Sequence, residues 1–190
     1  MSIRGAGVET GVVGMVLFLF AEAMFFTGLA SAFIILRSQN PAWPPPGQPR
    51  LPVEVTAVNT AIFLLSGYTM WRALRAARDV RGRVARWLAR TAASGALFLG
   101  VQGIEWARLI RFGLSTTVGV YGATFYAVVG IHGSHVLAAL AVLAVSWRKA
   151  AAGDYTPARH VGLTLCGMLW LFVVAVWPLL FVLLYEPWRR

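Results

Sequence analysis

Residues 11–36 read GVVGMVLFLFAEAMFFTGLASAFIIL, a run whose only charged side chain is Glu22. As a helix this run is about 39 Å long at 1.5 Å per residue, longer than the roughly 30 Å hydrocarbon core of a bilayer. Four more apolar blocks follow, and the five spans are read as about 11–36, 55–74, 89–112, 121–147 and 161–185. Lipid offers no partner for the backbone of an open strand. The blocks also lack the alternating pattern of a barrel strand. The expected fold is therefore all-α, a single polytopic membrane domain over 1–190 with five transmembrane helices.

Composition agrees. Of 190 residues, 58% are hydrophobic and only 13% are charged, with a mean hydropathy of +0.69. A soluble domain would be about a quarter charged. The first block is too long for a signal-peptide h-region and lacks a clean cleavage site. Cys166 is the only cysteine, which excludes an intrachain disulfide and a thiolate metal cluster.

The net charge of +10 reads as membrane orientation, not nucleic-acid binding. Arg72, Arg75, Arg78, Arg81, Arg83, Arg86 and Arg90 crowd the link between the second and third spans, offset only by Asp79. Arg4, Arg148, Lys149 and Arg159 fall on the same side; Arg37, Arg50, Arg108, Arg111, Arg189 and Arg190 fall on the other. The positive-inside rule puts the first group, and the N-terminus, in the cytoplasm. The C-terminus is then outside. Arginines so placed can also meet anionic lipid headgroups.

The loop from Arg37 to Pro52 holds six of the nine prolines: Pro41, Pro44, Pro45, Pro46, Pro49 and Pro52. Proline fixes φ and removes a donor, so a stiff, extended strap is expected. Trp43 in its middle, and Trp71, Trp87, Trp106, Tyr121, Trp147 and Trp188 near the span ends, suit an aromatic belt. Ala92, Ala96 and Gly100, and likewise Gly130, Ser134 and Ala138, recur at four-residue spacing and are expected to form close-packing faces.

Ionisable groups at membrane depth are costly and mark candidate sites. Four stand out: Glu22, Glu105, His132 and His135. Glu22 is a membrane carboxyl with a possible proton role; the bland alternative is a carboxyl bonded to a neighbouring helix. His132 and His135 are three apart and can face one direction. Depth matching along the third and fourth spans leads us to expect a polar clamp of Glu105 with His132 or His135. A metal site has little support: a di-iron bundle wants paired Glu-x-x-His motifs, and zinc on His-x-x-His needs a third ligand. Nothing picks out a haem pocket. No phosphate-binding glycine loop, nucleophile triad or hydrolase-type carboxylate dyad is present, so the chain alone does not read as catalytic.

At these residues the sequence resembles subunit III of the haem–copper oxidases, the cytochrome c and ubiquinol oxidases. Gly14 to Phe26 resembles the family's glycine, apolar run and Ser-Glu-x-x-Phe-Phe segment, with Ala21 where serine is usual. Trp43, Pro44, Pro45, Pro46 and Gly47 look like its Trp-Pro-Pro-x-Gly loop. Asn59, Thr60, Ser66 and Gly67 match its Asn-Thr…Ser-Gly helix, and Gln102, Glu105 and Trp106 its Gln-x-x-Glu-aromatic segment. Tyr121, Gly122, Phe125, Gly130, His132, Gly133, His135 and Val136 match the helix that carries Gly-x-His-Gly-x-His-Val. In the last helix Trp170, Phe172 and Trp177 are kept, but Leu171 and Val174 stand where histidine and aspartate are usual.

The resemblance implies a short, five-helix member packed as a two-helix and a three-helix bundle with a lipid-filled cleft between them. It implies a non-catalytic accessory subunit in a bacterial-type cell membrane, supporting stability, lipid binding and proton uptake during aerobic electron transport. Haem and copper are then expected in partner subunits I and II and none in this chain; structural phospholipid is expected, nucleic acid is not. The alternatives are an accessory subunit of a nitric oxide reductase-like complex and an independent membrane transporter.

Overall fold

The computed structural model describes residues 3–40, 42–49, 51–78, 83–117, 119–156 and 160–185, with side chains from residue 10 onward. The side chain of Arg4, and Pro41, Arg50, Asp79, Arg81, Arg159, Trp188, Arg189 and Arg190, lie outside the described residues. Five helices account for nearly all of the rest: α1 Ile3–Ser38, α2 Val53–Ala76, α3 Val84–Arg111, α4 Val120–Ala151 and α5 Val161–Tyr185. Most run past the apolar blocks, because the arginine-bearing ends continue the helix instead of unwinding at the interface.

The helix ends are chemically closed. Gly113 (φ +94°) follows α3, and its N–H bonds the Ile110 carbonyl at 3.1 Å while the Leu114 N–H bonds that of Leu109 at 2.9 Å. Gly153 (φ +81°) repeats the arrangement after α4, with Asp154 N–H on the Lys149 carbonyl at 3.1 Å. This is the Schellman termination, which needs a left-handed residue and so favours glycine. At the end of α1 the Asn40 side-chain amide donates to the Leu36 carbonyl at 2.6 Å.

Helices α2, α3, α4 and α5 form a closed ring, each packed on the next and α5 on α2. Helix α1 lies against α5 and α4 and makes no contact with α2 among the described residues. The expected division into a two-helix and a three-helix bundle is therefore replaced by four helices plus a flanking one. The polar pattern explains it. Helix α2 buries Thr56, Asn59, Thr60, Ser66 and Thr69, and α3 buries Thr91, Gln102 and Glu105. Those groups need partners, and α1 does not supply them, since its Thr27 and Ser31 hydroxyls donate to carbonyls of their own helix and Glu22 meets His135. Ring members do: Asn59 donates to the Phe98 carbonyl at 3.0 Å, Trp177 to Thr60 at 2.8 Å, Trp170 to Ser66 at 3.2 Å and Gln102 to Tyr185 at 3.0 Å.

By length and composition, Thr10–Ser38, Val120–Ala151 and Val161–Tyr185 are long and apolar enough to cross a membrane. Helices α2 and α3 are less apolar because their polar residues turn inward; Val58, Leu64, Leu65, Leu97 and Ile104 face out. The bundle is polar-seamed inside and greasy outside, as a bilayer requires.

The small-residue faces differ from expectation. No atom would lie within 4 Å of a Cβ built on Gly100 or Gly130, and Ala96, Ser134 and Ala138 are exposed. The close approaches are at Gly95, Gly122, Gly133 and Gly167. A Cβ on Gly95 would overlap the Trp170 ring, one on Gly122 the Ser115 carbonyl, and one on Gly133 would come within 2.9 Å of the Trp106 ring. Four-residue spacing alone does not say which face is turned inward.

Trp170 is fully buried and tied to Ser66, so it cannot swing aside. We predict that Gly95→Ala destabilises the protein by about 1–3 kcal/mol through overpacking. Gly100→Ala, facing open space, is neutral or slightly stabilising. Thermal unfolding of the purified protein in detergent measures both; equal melting temperatures for the two variants contradict the packing argument.

Candidate proton-handling site and family

Glu22 sits midway along α1 and His135 midway along α4. Oε2 of Glu22 and Nε2 of His135 are 3.0 Å apart. His135 Nδ1 is 2.8 Å from the Ile131 carbonyl, four residues back on its own helix. A carbonyl can only accept, so Nδ1 carries a proton. Nε2 then has two options. In a neutral ring it accepts from a protonated Glu22; in an imidazolium it donates to the carboxylate. In both, one proton lies between Nε2 and Oε2. The geometry thus provides two atoms between which one proton can sit, with the ring orientation set by the helix backbone.

Its setting is apolar. The ring of Phe26 is 5.2 Å from that of His135, and that of Phe25 is 6.4 Å away. The side chains of His135 and Glu22 keep 24% and 20% of their surface exposed, so the pair stands at the α1–α4 edge and not in the bundle core. Phe26 and Phe33 are the buried residues of α1 among those described, and both follow Glu22 along the helix. Trp43 packs beyond the C-terminal end of α1, with Phe33 at 5.5 Å on one side and Tyr121 at 5.0 Å on the other. The proline loop thus ties α1 to α4.

The four ionisable residues do not assemble as expected. No hydrogen bond joins Glu105 to either imidazole among the described residues; its Oε1 accepts from Arg108 Nη1 at 2.7 Å. Arg108 is on the next turn of the same helix and mostly exposed, so it reaches water while its head neutralises a buried carboxylate. That i, i+3 spacing is legible in the sequence; depth matching alone had pointed to the imidazoles instead. His132 turns into the ring of helices and stacks on Trp177 with centroids 5.1 Å apart. Neither of its ring nitrogens has a hydrogen-bond partner among the described residues. Among those residues no group of three or more His, Cys, Asp or Glu could hold a metal ion. The pairing of Glu22 with His135 has no local signal, since 113 residues separate them.

The family model for cytochrome c oxidase subunit III matches residues 4–189. The chain belongs to the cytochrome c oxidase subunit III family. It is 38% identical over 174 residues to cytochrome c oxidase subunit 3 of Synechocystis sp., covering 90% of this chain and 73% of that protein. The subunit 3 of Thermostichus vulcanus is 37% identical over 177 residues, covering 92% and 86%. The subunit 3 of Sus scrofa is 35% identical over 180 residues, covering 90% and 67%. The chain is accordingly an accessory subunit of a haem–copper oxidase, a multi-pass membrane protein working in a complex with other oxidase subunits. The nitric oxide reductase and transporter readings are not favoured. Subunit III carries no metal centre of its own.

A double-mutant cycle on Glu22→Ala and His135→Ala should give a coupling of about 1–2 kcal/mol in thermal stability, as expected for side chains in contact. Glu22→Gln should keep most of the stability, because its amide still donates to Nε2. The cycle of Glu105→Ala with His132→Ala should be additive within about 0.5 kcal/mol. Additivity at Glu22 and His135 would break the pairing.

Proposed function

We propose that the Glu22–His135 pair is the element through which this subunit supports proton uptake and turnover stability of its oxidase. The observation that carries this reading is the 3.0 Å contact between His135 Nε2 and Glu22 Oε2, held in an apolar setting yet open to one side. Transfer of the proton between the two atoms changes no net charge in hydrocarbon, where a lone charge is costly, and uptake or release, which changes the charge by one, takes place on the side left open. In this reading α1 and α4 pack beside subunit I, with subunit II in the same complex. Those partners carry the haem and copper. The opening left where α1 does not touch α2 takes structural phospholipid.

The orientation belongs to the same proposal. The arginine-rich α2–α3 turn and the N-terminus are cytoplasmic; the proline loop and the C-terminus are outside. Single-cysteine labelling in a Cys166→Ser background should label Ala152→Cys from the inside and Ala42→Cys from the outside. The reverse pattern overturns the orientation.

For the proton role, a hydrophobic carbodiimide should modify Glu22 in intact membranes. Glu22→Gln should still co-purify with a haem-bearing partner under mild detergent, with slower proton uptake or a shorter working life. Unmodified Glu22, an unassembled glutamine variant, or unchanged uptake and durability would each count against the proposal.

A further inference from the structure

Two buried polar side chains inside the ring of helices keep atoms without a hydrogen-bond partner among the described residues. His132 of α4 is 1% exposed, and both Nδ1 and Nε2 are unpartnered there. Asn59 of α2 is also 1% exposed; its amide donates to the Phe98 carbonyl at 3.0 Å, but its Oδ1 accepts nothing among those residues. Such atoms are costly in a protein interior and more so at membrane depth, where no bulk water reaches them.

The two side chains belong to one layer of the ring. Trp177 stacks on the His132 ring with centroids 5.1 Å apart, and its indole N–H is tied to Thr60, the residue after Asn59. Phe63, one turn after Asn59, has its ring centre 6.2 Å from that of His132. Phe98, whose carbonyl holds the Asn59 amide, packs 5.0 Å from Trp177. Helices α2 and α4 stand diagonally in the ring and make no direct contact among the described residues. Asn59 and His132 thus approach the same part of the ring interior from opposite sides.

The chemistry of these atoms says what fits between them. A neutral imidazole has one N–H and one bare nitrogen. The N–H can rest weakly on an aromatic face, and Phe63 and Phe26 both stand edge-to-face with His132. The bare nitrogen needs a donor, and so does Asn59 Oδ1. The surrounding rings offer none, because the Trp177 N–H is committed to Thr60 and phenylalanine has no polar hydrogen. Two acceptors facing one space call for a small molecule with two polar hydrogens. Gln102, one turn after Phe98 on α3 and buried, has a second amide hydrogen besides the one it gives to Tyr185. Buried waters make about three hydrogen bonds, which matches two acceptors and one donor.

We infer that an ordered water sits inside the ring, donating to the bare nitrogen of His132 and to Asn59 Oδ1 and accepting from the Gln102 amide. It links α2 to α4, two helices that do not touch. The inference goes beyond the role given to Glu22, which meets His135 on α1's side of α4.

The test uses the full chain with isotope-labelled histidine in lipid bilayers, read by solid-state NMR with magnetisation passed from water protons to the ring nitrogens. Three histidines give signals, His132, His135 and His160. Loss of a signal in His132→Phe, which keeps a ring on Trp177, assigns that of His132; His132→Gln does so if the phenylalanine variant fails to fold. The unprotonated ring nitrogen of His132 should show a water contact and a hydrogen-bonded shift. Asn59→Leu should lose most of that contact while the His135 signals stay in place, which shows that the helices remain packed. The melting-temperature losses of Asn59→Leu and His132→Phe should be less than additive when combined, since each alone removes one partner of the same water. A His132 ring with no water contact overturns the inference. A contact undiminished in Asn59→Leu, or fully additive losses, overturns the bridge. Carbodiimide labelling of Glu22 and co-purification of a haem-bearing partner are scored separately, so failure here and failure of the assigned function give different results.

Discussion

Two indole N–H groups on α5 have only α2 to donate to. Trp170 reaches the hydroxyl of Ser66 and Trp177 that of Thr60. In water such groups could turn outward; in hydrocarbon they cannot. Interhelical hydrogen bonds between membrane helices are worth only about 0.6 kcal/mol each on average. The two bonds therefore add little to stability as such. Their force lies in the alternative: a shifted register would strand the two indole donors, each at a cost of about 1–3 kcal/mol, while the Thr60 and Ser66 hydroxyls would keep their bonds to the Thr56 and Phe63 carbonyls of α2. The bonds thus choose one register out of many that the apolar surfaces would allow. With α2 and α5 so aligned, Phe63 stacks on Phe98 at 4.0 Å, Trp177 packs 5.0 Å from Phe98, and Gly95 is brought against Trp170. The ring of four helices follows from that seam.

Helix α1 is held by other means. It has no polar seam and buries mainly Phe26 and Phe33. Its specific tether is Glu22 on His135, assisted by the Trp43 bracket at its C-terminal end. Since lipid tails are as apolar as its own side chains, burial gives it little reason to prefer α4 and α5 to the bilayer. The Glu22–His135 contact therefore helps to set its position. The candidate site and the attachment point of α1 are thus the same pair of side chains.

Much of this was legible in the residues and some was not. Five helices follow from apolar block length, and the limits of α5 follow from the ends of its block. The proline loop, expected as an extended strap, instead bends at 42–44 and turns at 46–47, with Gln48 N–H on the Pro45 carbonyl at 3.2 Å, and the packing of Trp43 on Phe33 and Tyr121 carries no sign in the sequence. The partition of the helices did not follow, because it depends on which polar groups find partners across the bundle. Asn59 meeting the Phe98 carbonyl, or Gln102 meeting Tyr185, carries no sign in local spacing. The same limit applied to the candidate site. Glu22, Glu105, His132 and His135 were all identifiable as costly groups, but their pairing is set by rotation of α4, which turns His132 toward Trp177 and His135 toward α1.

The same seam accounts for the departure in α5. Leu171 and Val174 replace the histidine and aspartate usual in related chains, and two lost polar groups would matter greatly if they faced a partner subunit. Val174 is instead buried within this chain. A Cβ on Gly67 of α2 would lie 3.1 Å from Val174 Cγ1 and 3.8 Å from Leu171 Cδ2, so the two side chains fill the space over that glycine. They sit between the Trp170 and Trp177 anchors, on the face already committed to α2. An apolar pair there leaves no donor or acceptor unmatched, whereas a lone aspartate or histidine would need a partner that α2 does not offer at Gly67. Exchanging both together keeps the interface satisfied, and exchanging one would not. The departure is thus a change in how α5 is fastened to α2, inside the subunit.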